Sequence, residues 1–331
     1  MKVSRALIRS RPTRALWCDC IMAWCACIMP ISLVAGGCVH FQTSVSEPLP
    51  AAERVVVGAR GQLRVIDKNP TGARDTVLLV HGYGSSSASY APVIDALAAH
   101  LRVLAIDLPG FGKSDRREGD YSPDALADVL ADVLTQKGVE RANVVGHSWG
   151  SSVVLAFARR HPERLEKLVI ISGWIYDEQL LPIMRWARVP GVGEALYAAF
   201  YRNAIGERLY LNFVDPNLVT QKVVDEVEKQ MALDGALAAA LAAARGMHRF
   251  AETESEYRTI KNPTLLLWGR DDRVARLAFG ERLARELPHA ELVVLPRCGH
   301  IPMWECTGET AAALTDFLTA GTVRPALSSA K

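Results

Sequence analysis

The chain has 331 residues, half of them hydrophobic, and a formal net charge of +2 at pH 7. That length allows one large domain or two ordinary ones with a sizeable core. A near-neutral balance with no basic stripe in the body excludes an electrostatic nucleic-acid binder.

The first 38 residues differ from the rest. Lys2, Arg5, Arg9, Arg11 and Arg14 form a basic start, and Cys20 to Gly37 is apolar or small throughout. This is the layout of a secretory signal. It ends Leu33-Val34-Ala35-Gly36-Gly37-Cys38, which resembles the lipobox of bacterial lipoproteins and departs from it at Ala35, where leucine is preferred. The expectation is export, with Cys38 lipidated and the protein held on a membrane. An uncleaved N-terminal anchor, a cleaved soluble form and a wrongly chosen start stay open as alternatives. Eighteen apolar residues are about the minimum for a spanning helix, and Pro30 weakens that reading. Five of the seven cysteines lie in this leader. Their C-x-C pairs (Cys18/Cys20, Cys25/Cys27) lack histidine partners and read as small apolar residues rather than metal ligands. Only Cys298 and Cys306 remain beyond Cys38, and an exported protein could pair them.

Residues 38–52 read as a polar linker with Pro48 and Pro50. The folded body begins at Glu53. Arg54 to Val57 and Leu63 to Ile66 flank a glycine-containing turn and predict a hairpin. Thr76 to Val80 is a continuous apolar run, the mark of a strand covered on both faces. It ends in His81-Gly82-Tyr83-Gly84. A helix is expected from Ala91 to Leu101, a second buried strand over Val103 to Ile106, and a helix from Pro123 to Gln136 with Ser122 as N-cap. Gly112-Lys113-Ser114 is no phosphate loop, because Asp107 stands where that motif needs its first glycine. Strands alternating with helices mean a mostly parallel sheet with helices on both faces, an α/β fold.

The chain is organised around Gly146-His147-Ser148-Trp149-Gly150. It fits the G-x-S-x-G nucleophile elbow, in which a serine sits on a sharp strand-to-helix turn and the flanking glycines let strand and helix approach. Together with the His81 and Asp107 stretches, in that order, it resembles the α/β-hydrolase fold superfamily, in the branch that carries a lid. The resemblance covers residues 53–320. It implies a core over 53–173 and 258–320 and a helical lid over 174–257; the remaining tail, 321–331, is small and polar with one proline and reads as disordered.

The resemblance also implies the order serine, acid, histidine. Ser148 is then the nucleophile. Asp272, in Gly269-Arg270-Asp271-Asp272, is preferred over Asp271 as the acid, with Asp177 as a further alternative. His300, after the last strand, is the general base, whereas His81 and His147 read as packed residues. The backbone N–H groups of Tyr83 and Trp149 form the expected oxyanion hole. No metal or organic cofactor is implied. Eight aromatics lie between 174 and 213, Trp174, Tyr176 and Trp186 among them; the expectation is that most pack within the lid and against the core and that two or three form an apolar wall above Ser148. The resulting expectation is a serine hydrolase of small carboxylic esters with apolar acyl or aromatic groups. A prolyl iminopeptidase, which would use acids such as Asp177, Glu178, Glu194 or Glu207 to hold an amine, and a C–C bond hydrolase are alternatives. A non-enzymatic binding protein is a third.

Overall fold

The computed structural model describes residues 41–71, 75–202, 209–247 and 250–320. The leader, Cys38 and the tail from 321 lie outside the described residues. Eight strands form one sheet in the order β1-β2-β4-β3-β5-β6-β7-β8. β1 (Arg54–Val57) and β2 (Gly61–Lys68) are the expected hairpin, and β2 runs antiparallel to β4. β3 (Thr76–Val80), β4 (Arg102–Ile106), β5 (Ala142–His147), β6 (Leu165–Ile171), β7 (Thr264–Gly269) and β8 (Ala290–Leu295) are parallel.

The continuous apolar runs follow from two cores. Side chains alternate across a strand. Leu78, Val80, Val144, Leu168, Ile170 and Leu266 enter one buried cluster, while Val77, Leu79, Val145, Val169, Ile171 and Leu267 enter the other. Neither face can be polar, so a period of two never surfaces in the sequence. Helices α2 (Pro123–Gln136) and α3 (Trp149–Arg160) supply the first cluster. Helix α1 (Ala91–Ala98) and the final helix, Thr307–Thr319, supply the second. Helix α2 starts as its sequence predicts, with the Ser122 hydroxyl accepting the Ala125 N–H at 3.3 Å and Pro123 in the first turn. Helix α1 stops at Ala98, three residues before the expected end.

Between β6 and β7 the described residues are helical or irregular, with helices over Pro182–Trp186, Val192–Phe200, Gln221–Met231 and Ala236–Gly246. Alanine lets these segments approach closely: Ala187, Ala240 and Ala244 pack with Tyr197, Tyr201 and Leu241 in a separate small core. No helix among the described residues is long and apolar enough to cross a membrane.

The structure differs from the linker expectation for the stretch before β1. Ser44 and Arg116 exchange backbone hydrogen bonds at 2.9 and 2.8 Å. The Ser46 N–H donates to Asp115 at 2.8 Å, and Phe41 packs on the small core of the insertion. This segment is short of apolar residues, so it is held by backbone pairing, which a search for hydrophobic periodicity does not register.

Candidate active site

β5 delivers Ser148 at its C-terminal end and α3 begins at the next residue. Ser148 has φ 52° and ψ −123°, a conformation costly for a residue with a Cβ and kept only where surroundings enforce it. They do. The Ser148 N–H donates to the Ile171 carbonyl at 2.9 Å, and its own carbonyl accepts the Ser151 and Trp174 N–H groups at 2.9 and 3.0 Å. A Cβ on Gly146 would lie 2.6 Å from the Gly150 carbonyl oxygen, and one on Gly150 would lie 2.6 Å from that of Val80. Strand, turn and helix close only with glycine at both places.

The three residues that the sequence singles out meet here. Ser148 Oγ lies 2.9 Å from His300 Nε2, and His300 Nδ1 lies 2.9 Å from Asp272 Oδ2. All three are buried, with Ser148 at 9% exposure. Asp272 turns its other oxygen, Oδ1, to the N–H groups of Val274 and Ala275, both at 2.8 Å. Burial pushes its carboxyl up, but the His300 charge and hydrogen bond, with the Ala275 amide and the Ser172 hydroxyl, outweigh burial and hold it below its ordinary value. Asp272 therefore stays an anion facing Nδ1.

Asp271 is not part of this chain of contacts; its N–H donates to the Cys298 carbonyl at 3.0 Å. Asp177, the alternative acid, is occupied elsewhere by Arg185 at 3.3 Å and Arg188 at 3.6 Å. Glu178 and Glu194 are likewise paired, with Arg282 at 3.2 Å and Arg245 at 2.8 Å. Their charges are balanced within the protein rather than offered to an amine. Glu207 lies outside the described residues.

His81 and His147 are packed, as their places in the sequence suggest, yet both are wired into the site. His81 donates from Nδ1 to the Gly82 carbonyl at 2.7 Å and accepts the Leu108 N–H on Nε2 at 3.0 Å. Those two bonds require the neutral ring, and burial lowers its pKa accordingly. His147 donates from Nε2 to the His300 carbonyl at 2.8 Å, with the two rings 5.0 Å apart. Burial first, and the neighbouring His300 second, bring its pKa down to about 3.

The two expected oxyanion residues flank Ser148. Trp149 opens α3, and Tyr83 follows Gly82, where a Cβ would stand 2.9 Å from that of Ser148. The Tyr83 hydroxyl reaches into the insertion, donating to the Ala240 carbonyl at 3.0 Å and meeting the Tyr197 hydroxyl at 3.2 Å.

Five of the eight aromatics of the insertion, Trp174, Tyr176, Tyr197, Tyr201 and Phe213, are buried. Trp186, Phe200 and Tyr210 are about half exposed on the outside of the insertion, and Tyr176 is buried with its hydroxyl on Glu286 at 2.6 Å. Trp174, hydrogen-bonded through its N–H to the Ser148 carbonyl, stays beside the nucleophile, and other aromatics there come from outside the insertion: the Phe111 ring lies 5.6 Å from that of Trp149 and 6.0 Å from that of Tyr83. Asp107 sets that loop by accepting the Ser87 and Lys113 N–H groups at 2.7 and 2.9 Å. Phe111 was legible only as part of a glycine-rich turn.

Cys298 and Cys306 form a disulfide with Cα atoms 6.2 Å apart, and His300 lies within the loop it closes.

A family model described as the α/β-hydrolase fold matches residues 75–306. The chain belongs to the α/β-hydrolase fold family. Among its relatives, a 2-hydroxy-6-oxononadienedioate/2-hydroxy-6-oxononatrienedioate hydrolase of Paraburkholderia phymatum is 37% identical over 76% of this chain and 89% of its own length. The protein of the same description from Burkholderia vietnamiensis is 34% identical over 78% and 91%. Among solved structures, a meta-cleavage product hydrolase from Pseudomonas fluorescens IP01 superposes with a TM-score of 0.67 at 25% identity, covering 80% of this chain and 96% of that one. These relatives are named as hydrolases of oxo-dienedioates and of a meta-cleavage product, and none of the three is named as an esterase. The protein is a hydrolase of this family.

Proposed function

We propose that the protein is a serine hydrolase working through an acyl-enzyme, and that its substrate is a ring-fission type ketone of the 2-hydroxy-6-oxo-dienoate class. The observation that carries the mechanism is the unbroken path Ser148 Oγ, His300, Asp272 with 2.9 Å at each step. His300 takes the serine proton as Oγ adds to the carbonyl carbon, and Asp272 steadies the imidazolium. The N–H groups of Tyr83 and Trp149 receive the oxyanion. Collapse breaks the bond to the leaving group, which takes the proton from His300. Water, deprotonated by His300, then frees the acid and restores Ser148. In a 2-hydroxy-6-oxo-dienoate the 6-oxo group is the electrophile offered to serine; once the 2-hydroxyl proton has passed to C5, giving the 2,6-dioxo-3-ene tautomer, C5 can leave as carbon because its charge is delocalised through the C3=C4 bond onto the 2-oxo group. The similarity to relatives that bear this substrate in their names supports the assignment.

Ester hydrolysis is the second reading. It is favoured by the apolar surroundings of the nucleophile, Tyr83, Phe111 and Trp149, which suit an acyl chain. A turnover screen of residues 39–331 separates the two. It pairs a 2-hydroxy-6-oxo-dienoate with p-nitrophenyl esters from acetate to palmitate and proline p-nitroanilide, with Ser148→Ala as control. Faster Ser148-dependent loss of the dienoate chromophore supports the first reading. Faster ester turnover replaces it with the second, and cleavage of the anilide alone overturns both.

We further propose that the protein is exported and held at a membrane through Cys38. The leader pattern supports this, and so does a disulfide beside His300, a bond suited to an oxidising compartment. Incorporation of labelled fatty acid, lost in Cys38→Ala, is the expected result; label that survives the substitution overturns it.

A further inference from the structure

The loop carrying His300 is fastened to the helical insertion by one carboxylate. Glu305 Oε1 accepts the N–H groups of Val214 at 2.7 Å and Asp215 at 2.8 Å. Its other oxygen, Oε2, accepts the N–H of Gly299, the residue before His300. The His300 N–H itself donates to the Asn212 carbonyl at 2.7 Å. Residues 212–215 thus touch the base's loop directly and through Glu305, across 90 residues of sequence. The fit leaves no slack. A Cβ at Gly299 would stand 2.6 Å from the Asn212 oxygen and 2.9 Å from Glu305 Oε2. A carboxylate that accepts three amides makes charge-assisted bonds, stronger than neutral ones. It also holds the two segments at a fixed separation.

We propose that Glu305 is the positioning residue for the general base, fixing His300 relative to the insertion so that the site is assembled only while residues 212–215 lie against it. This rests on the serine-hydrolase reading above. Glu305 does not touch Ser148 or the reacting atoms. It acts through the backbone N–H of Gly299, next to His300, whose Nε2 lies 2.9 Å from Ser148 Oγ, the distance that chemistry depends on. An offset of about 1 Å in such a contact costs on the order of a hundredfold in rate. Asp272 fixes the ring's tautomer and His147 holds the His300 carbonyl. Neither ties the loop to the insertion.

The test is the rate constant for labelling of Ser148 by a fluorophosphonate in the full chain, followed against pH. This probe needs the serine and its base but no knowledge of the substrate. Glu305→Gln keeps the shape of the side chain but has only one acceptor oxygen, so it satisfies either Gly299 or the Val214 and Asp215 pair. Labelling is expected to slow by about tenfold to a hundredfold, with the midpoint of its acid limb displaced as His300 shifts against Asp272. Glu305→Asp, which keeps both oxygens on a shorter stem, should recover part of the rate, and it carries the test alone if the glutamine variant does not fold. Glu309→Gln, an exposed acid on the following helix, should match the wild type. A variant with the wild-type rate constant and pH midpoint overturns the proposal. So does one that merely labels a smaller fraction at an unchanged rate, which is the signature of partial unfolding. A wild type that does not label at all overturns the serine-hydrolase reading instead.

Discussion

His147 makes the stability of this protein depend on pH in a way that can be worked out. Its ring is fully buried beside His300, and its pKa falls to about 3 through burial and that neighbour. In the unfolded chain a histidine titrates near 6.5. Between about pH 6.5 and 3 the unfolded state therefore binds one proton that the folded state refuses. Stability rises with pH in that window and is lost on acidification. The slope is about 1.4 kcal/mol per pH unit, which makes about 2 kcal/mol lost from this group between pH 7 and pH 5. His81 pulls in the same direction, so the wild-type curve alone does not isolate His147. Urea unfolding of wild type and His147→Gln at pH 7, 6 and 5 does, because His81 is common to both. The wild type should lose about 2 kcal/mol more than the variant over that range. Parallel curves would refute the reasoning, since they would mean that His147 carries no stability cost on protonation.

Ser148→Ala should lower turnover by about 10⁶-fold with the fold intact, read by steady-state kinetics and circular dichroism. Asp272→Asn keeps the shape but reverses the hydrogen-bonding preference at His300 Nδ1, and a loss of about 10⁴-fold in kcat is expected. Gly150→Ala drives a Cβ into the carbonyls of Val80 and His81. Thermal unfolding should show destabilisation by about 2–3 kcal/mol or failure to fold; an unchanged Tm would mean that the turn has room it does not show. Cys306→Ser opens the loop around His300. Closing a loop of that length contributes about 2–3 kcal/mol in the chain-entropy view, so urea unfolding should show a comparable loss.

Much of this was legible because a parallel sheet leaves an unusual trace. Thr76–Val80 and Thr264–Gly269 are buried along their whole length, so each reads as a nearly continuous apolar run, whereas β5, also fully buried, carries Asn143 and His147 and is marked by the elbow that follows it. The elbow serine was legible because Gly146 and Gly150 are demanded by close backbone approaches, Gly146 to the turn itself and Gly150 to the end of β3. Asp272 could be separated from Asp271 by family pattern; the physical reason, two amides on Oδ1 and His300 on Oδ2, lies in the turn after β7. Glu305 left no such trace. It is an ordinary acid at the end of a four-residue helix, Pro302–Glu305, and its meaning depends on amides at Val214 and Asp215. Ser172 is similar: it takes a positive φ of 47° at the end of β6 and helps to hold the Asp272 carboxyl down, and serine gives no warning of that backbone. The outward turn of Trp186 and Phe200 was illegible for a different reason, since an aromatic on a short helix can face either core or solvent at the same spacing.

Strand order explains why so little chain makes the site. β5, β6, β7 and β8 are neighbours and all run the same way. Their C-terminal ends therefore lie along one edge of the sheet, and Ser148, Ser172, Asp272 and His300 each follow one of them. Such an edge is where open α/β sheets bind ligands. The insertion leaves the sheet at that edge, after β6 and between the serine and the acid, before the chain passes to the opposite edge to begin β7. A segment placed there need not be only a cover. Through Asn212, Val214 and Asp215 it supplies part of the seat of His300, and through Ala240 it takes the hydroxyl of Tyr83. Changes in this helical region can then alter the positions of His300 and Tyr83, the proposed base and oxyanion residue, as well as the shape offered to the substrate. That joins specificity and rate in one piece of chain.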